Sequence, residues 1–173
     1  MADLTSCVFD TSVVVNFIHV ARLDLLGSAN DIAGHLPEEV DAEVTHAEQR
    51  ARLDVALAQG HLQIVRLESL DELALYGMLR ERYGRGESAA LALASVRAMH
   101  LACDEGRSFR TTILSHLGPG RHLNTPTLLL RAIRRGVISI GEADTYKIIL
   151  EGRRFRMRFA SFQDLINPRP PRT

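Results

Sequence analysis

Tryptophan is absent from the 173 residues, lysine occurs once, at Lys147, and cysteine twice, at Cys7 and Cys103. Two cysteines cannot build a disulfide framework. Both lie in apolar, strand-like runs, which points to buried thiols in a reducing compartment. With a single lysine among 21 basic residues, mechanisms that need a positioned lysine have little to draw on. No apolar run approaches the ~18–20 residues of a membrane span. The opening MADLTSCVFD carries neither a basic region nor the apolar centre of a signal peptide, so the expectation is a soluble, cytoplasmic protein. Motifs are missing too. There is no G-x-x-x-x-G-K-[ST] and no G-x-G-x-x-G opening a helix, which argues against nucleotide-binding loops. There is no G-x-S-x-G elbow, and the seven histidines form no H-x-x-x-H pair of the kind zinc prefers. Ser12 stands where a phosphoaspartyl phosphatase would place its second acid, and Lys147 lies too late for a receiver domain.

What is present is a chain that is 46% apolar, enough for one ordinary core. Residues 1–166 are expected to form a single domain, with NPRPPRT at 167–173 as a disordered tail. The net charge is zero, but unevenly spread: residues 1–87 hold 15 acids against 7 basic residues, and residues 88–173 hold 6 acids against 14. Such a division can set a cation site beside a surface that attracts phosphates, or simply decorate solvated faces.

Short apolar runs alternate with helical patterns. Cys7-Val8-Phe9 reads as a strand leading into a helix with Val13, Val14, Phe17, Ile18, Ala21 and Leu25 at three- and four-residue spacing. A short second strand is expected within Asp31–Leu36. Pro37 then starts a long helix, EEVDAEVTHAEQRARLDVALAQG, with Glu43 on its core-facing stripe or at the edge of that stripe. LQIVRL suggests a third strand, and Ser69 caps LDELALYGMLRERYG. Gly86 breaks the chain before a helix opened by Glu87 and Ser88, on which Glu87 shares a face with Ala90, Leu91 and Ala94. His100 to Cys103 is a strand running into Asp104-Glu105, His122 to Asn124 a last edge strand, and TLLLRAIRRG a helix opened by Thr125-Pro126. This alternation predicts a three-layer α/β/α fold with a mainly parallel, twisted sheet of four or five strands. Sites in such sheets lie at the carboxyl ends of the strands.

Four carboxylates stand out on those grounds. Asp10 and Asp104 end strands, although Asp10 also reads as a helix N-cap; Glu43 and Glu87 belong to helices that should flank the strand ends. A cluster of unpaired acids repels itself and raises its own pKa values. A divalent cation removes the conflict, and all-oxygen ligation suits Mg²⁺ or Mn²⁺. Bound that way, such an ion polarises a phosphoryl oxygen and activates water, which fits phosphodiester hydrolysis.

VFDTSVVVNF, LPEEVDAEV, GRGESAALALA and LACDEGR, in that order and at suitable spacing, resemble a PIN domain, the fold of the VapC-type toxin ribonucleases. The likeness covers residues 6–166, and the Leu-rich helix, Arg-Gly pair and short helical end resemble the prokaryotic branch in particular. It implies an acidic quartet of Asp10, Glu43, Glu87 and Asp104, with Asp10, Glu87 and Asp104 as metal ligands and Glu43 serving a second ion or the attacking water. By the same resemblance Ser12, Glu105 and Thr125 support the site. Relatives often carry a second aspartate where this chain has Glu105, and a glycine where it has Asn124. The resemblance also implies RNA as substrate, a homodimer and an antitoxin partner, or, failing catalysis, a PIN-like module that only binds nucleic acid or protein. Arg153, Arg154, Arg156 and Arg158 interleave with Phe155 and Phe159, which suits an RNA backbone, an antitoxin surface or a solvated edge.

Overall fold

Residues 4–104 and 106–167 are described by a computed structural model. Strand β1 spans Thr5–Phe9 and helix α1 Thr11–His19; two 3₁₀ turns, Leu23–Leu26 and Ser28–Asn30, lead to β2, Ile32–Pro37. Helices α2 (Glu38–Glu43) and α3 (Ala47–Ala58) precede β3 (Gln63–Val65), and α4 (Leu70–Leu79) and α5 (Arg85–Val96) precede β4 (His100–Ala102). Then follow α6 (Arg107–Leu117), β5 (His122–Leu123), α7 (Thr125–Arg134), α8 (Ile140–Gly152) and α9 (Phe162–Ile166). The expected tail lies outside the described residues except for Asn167.

The sheet has five strands in the order β3-β2-β1-β4-β5, every pairing parallel. Successive strand residues point to opposite faces, and each face carries its own core. Cys7 and Phe9 pack with α1, α7, α8 and α9 on one side; Val8, Leu101 and Cys103 pack with α4, α5 and α6 on the other. These two layers make the fold α/β/α. Side chains such as Phe9, Phe17 and Leu91 are fully buried, each stabilising the fold by about 1.5–3 kcal/mol. Both cysteines are buried, and neither forms a disulfide. No helix among the described residues is long and apolar enough to cross a membrane.

Three sequence expectations need correction. The single helix expected after Pro37 is broken, with α2 ending at Glu43 and α3 starting at Ala47. At the break Val44 leaves helical geometry (φ −82°, ψ 81°) to bury its side chain to 3% exposure, and Arg50 reaches back to Asp41 at 2.8 Å. Gly86 does not precede the next helix: α5 starts at Arg85 behind Gly84, with Glu87 at its third position. Ser88 through Ala94 are all buried, so α5 has no solvent face for a stripe to oppose. The helix from Ser69 also stops early, at Leu79, its cap made by Ser69 and Glu72.

Candidate functional site

The strand order reverses direction between β1 and β4, since β2 and β3 lie on one side of β1 and β4 and β5 on the other. Open parallel sheets form a crevice at such a switch point, beyond the carboxyl ends of the strands. Asp10 follows β1 and Asp104 follows β4 by two residues. The register pairs Phe9 with Ala102, and the Asp10 N–H donates to the Ala102 carbonyl at 3.0 Å. Both aspartates therefore leave the same edge of neighbouring strands.

Hydroxyl groups hold them. The Ser12 hydroxyl donates to Asp10 Oδ2 at 2.8 Å and accepts the Asp104 N–H at 3.1 Å, tying the two strand ends together. The Ser12 N–H also donates to Asp10 Oδ2, at 3.3 Å, so Asp10 caps α1 with one oxygen. Asp104 is gripped from the start of α7: the Thr125 N–H donates to Oδ1 at 2.8 Å and the Thr125 hydroxyl donates to Oδ2. Asn16 Nδ2 donates to Asp104 Oδ2 at 3.0 Å and to the Thr125 hydroxyl oxygen at 3.3 Å. Thr125 and Asn16 are buried.

The glutamates are both held at the start of α5. Glu43 sits on the exposed side of α2, not on a core stripe, yet its carboxylate turns back. It accepts the Gly86 N–H at 2.9 Å and the Thr11 hydroxyl. A Cβ on Gly86 would lie 2.6 Å from Glu43 Oε2, so only glycine admits this carboxylate to the first turn of α5. Glu87 is half-buried and accepts the Gly84 N–H at 2.9 Å. Its charge is felt at Asp10.

Burial is the main force raising the pKa of Asp10, with the Ser12 hydrogen bonds opposing it and Glu87 adding to it. Burial likewise raises that of Asp104, against the donors from Thr125 and Asn16. No ion pair among the described residues engages Asp10, Glu43, Glu87 or Asp104. Two inward acids, destabilised as anions and given no arginine, are chemically suited to a hard divalent cation. Among the described residues no three Asp, Glu, His or Cys side chains converge as a ready-made metal cage. Mg²⁺ does not require one, because it keeps several waters and is commonly held by one or two carboxylates. The Asp10–Asp104 pair fits that mode.

Glu105 lies outside the described residues. Arg153, Arg154, Arg156 and Arg158 are all exposed after α8; Arg153 also lines a cleft with His19 and His46. A cleft of about 780 Å³ between α3 and the Leu23–Leu26 turn contains none of the four acids, so cavity size does not point to this chemistry. Asn16 and Thr11 were not anticipated from the sequence. The only trace of Asn16 is an amide inside VVVNFI, where an apolar residue would suit the helix; Thr11 leaves no trace.

A family model described as a PIN domain matches residues 6–162. No curated protein matches the sequence. Among solved structures, the chain is similar to one described as VapBC2 from Rickettsia felis bound to a DNA fragment from their promoter. The identity is 17% and the TM-score 0.49, over 69% of this chain and 98% of that one.

Proposed function

The chain belongs to the PIN-domain family, a family of nucleases, and from that premise we propose that it is a divalent-cation-dependent endoribonuclease, the toxin of a toxin–antitoxin pair. One observation carries the reading: Asp10 and Asp104 stand together at the switch point, partly or wholly buried, and neither forms an ion pair among the described residues. The site residues follow from it. Asp10 and Asp104 hold Mg²⁺ or Mn²⁺, with Glu87 completing the set. The ion, when bound, polarises the phosphoryl oxygen and lowers the pKa of a water.

The chain's own contribution is positioning. Thr125 and Asn16 fix both oxygens of Asp104: Oδ2 accepts two donors and Oδ1 one, which leaves Oδ1 with a lone pair for a cation. Ser12 keeps the two strand ends in register. Glu43, anchored on Gly86 and Thr11, is assigned to a second ion or to positioning the attacking water. Glu105 is assigned a supporting role. The same reading takes residues 1–166 as one domain, cytoplasmic and homodimeric, inhibited by a protein antitoxin.

Purified protein is expected to cleave RNA with added Mn²⁺ and to lose that activity with EDTA or with Asp10→Asn. Cleavage indifferent to both would remove the proposal. A second reading, a PIN-like module that binds without turnover, is favoured by one observation: Glu43 and Glu87 spend hydrogen bonds on the start of α5 and form no three-acid group with the aspartates among the described residues. Cation-independent RNA binding with no cleavage would support it.

A further inference from the structure

One cleft outside the acidic crevice gathers charge of the opposite sign. It has a volume of about 290 Å³ and is lined by His19, His46, Glu48, Arg52 and Arg153, with Ile18 and Gln49. Three elements distant in sequence supply the nitrogen donors: His19 ends α1, His46 caps the start of α3 with Arg52 in its middle, and Arg153 caps the end of α8. Arg52 is fixed in place, donating to the Ile18 carbonyl at 3.0 Å and to Glu48 at 2.7 Å. That contact occupies the one acid of the lining. Neither Arg153 nor His46 has a hydrogen-bond or ion-pair partner for its side chain among the described residues. Burial, then Arg153 and Arg52, hold the His19 pKa down against the pull of Glu48, so at neutral pH the imidazole is an uncharged hydrogen-bonding group between two guanidiniums.

The cleft lies along α1 from the acids: Asp10 caps the start of that helix and His19 ends it, about 13 Å away. His46 follows Glu43 by three residues, which limits their separation to about 11 Å along the chain. A nucleic-acid strand whose scissile phosphate lies at Asp10 and Asp104 needs a positive contact for a neighbouring phosphate, since the crevice itself repels the backbone. We infer that this cleft is a phosphate subsite, in which His19, His46, Arg52 and Arg153 hold a backbone phosphate of single-stranded RNA next to the segment being cut. The inference rests on the nuclease reading and assigns Arg153, alone of the four C-terminal arginines, to the substrate path.

The test uses the full chain and a labelled oligouridylate of about 12 nucleotides, with EDTA present for binding and Mn²⁺ for cleavage. Arg153→Ala, and separately the His19→Ala/His46→Ala pair, are expected to weaken binding roughly tenfold. Each lost phosphate contact should lower the slope of log affinity against log salt by about 0.7. In cleavage the variants raise KM while kcat holds, and Arg153→Lys recovers most of the affinity. Thermal melting of each variant separates lost contact from lost fold.

Unchanged affinity and salt slope in folded variants, while the wild type still cuts RNA, would overturn the subsite and leave the nuclease reading intact. Variants that bind RNA normally but lose an acidic protein partner would do the same. A wild type that neither binds nor cuts RNA would remove both.

Discussion

Thr125 holds both carboxylate oxygens of Asp104, its backbone N–H on Oδ1 at 2.8 Å and its hydroxyl on Oδ2, across 21 residues of chain. The N–H contact depends only on where α7 begins, whereas the hydroxyl contact depends on the side chain. Thr125→Val removes the second while keeping shape and leaves a buried carboxylate oxygen short of a donor. It is expected to cost about 1–3 kcal/mol of stability and to lower cleavage by roughly ten- to a hundredfold, with Thr125→Ser close to wild type. Melting curves and initial rates check both.

Asp10 and Asp104 carry the opposite sign of stability. Their pKa values are raised in the folded state, so between the ordinary carboxylate value and the raised one the native state binds more protons than the unfolded chain. Stability from these two groups is present at low pH and declines as pH rises through that window. At neutral pH, Asp10→Asn and Asp104→Asn should therefore raise the melting temperature of the metal-free protein, by about 2–4 °C for each kcal/mol gained. Both should abolish the further rise that Mn²⁺ gives the wild type. A wild type that gains no thermal stability from Mn²⁺ would count against the cation site.

Glu72 behaves in the reverse way. Arg97 bonds it at 2.6 Å, and the Glu68 and Ser69 N–H groups donate to it, which together hold its pKa at about 2. Its contribution is complete above the ordinary carboxylate value and is lost as pH falls toward 2. Arg97→Met leaves the buried carboxylate unpaired and is expected to destabilise by about 3–5 kcal/mol at pH 7. Urea titrations at pH 7 and pH 3 should show that deficit shrinking at the lower pH.

Gly86→Ala isolates the Glu43 contact. The new Cβ would press on the Glu43 carboxylate and the Thr11 hydroxyl, while alanine itself favours a helix by about 1 kcal/mol over glycine. Cleavage should fall at least tenfold with little change in melting temperature, because the two effects oppose in stability but not in activity. A fully active Gly86→Ala protein would show that Glu43 need not rest on α5.

Asp10 and Asp104 could be placed at strand ends from sequence because each follows a short apolar run and precedes a helix signal, and local patterns of this kind survive folding. The same holds for the parallel sheet, which follows from strands alternating with helices. What the sequence hid was set by distant partners. The chain breaks at Val44 because burying that side chain and joining Arg50 to Asp41 outweighs one more helical turn, and no local propensity announces it. Asn16 looks like an ordinary helix residue until Asp104 arrives 88 positions later. Thr125 reads as the start of a helix, and only the adjacency of β4 and β5 turns it toward the carboxylate.

Because β1 lies between β2 and β4, a strand made ahead of the other four in the sheet is enclosed only when β4 arrives. During synthesis, Asp10 leaves the ribosome more than ninety residues ahead of Asp104, and the Thr125 clamp follows later still. The acidic crevice is thus not assembled until α7 is out, and a fragment ending before α7 lacks the residue that grips Asp104.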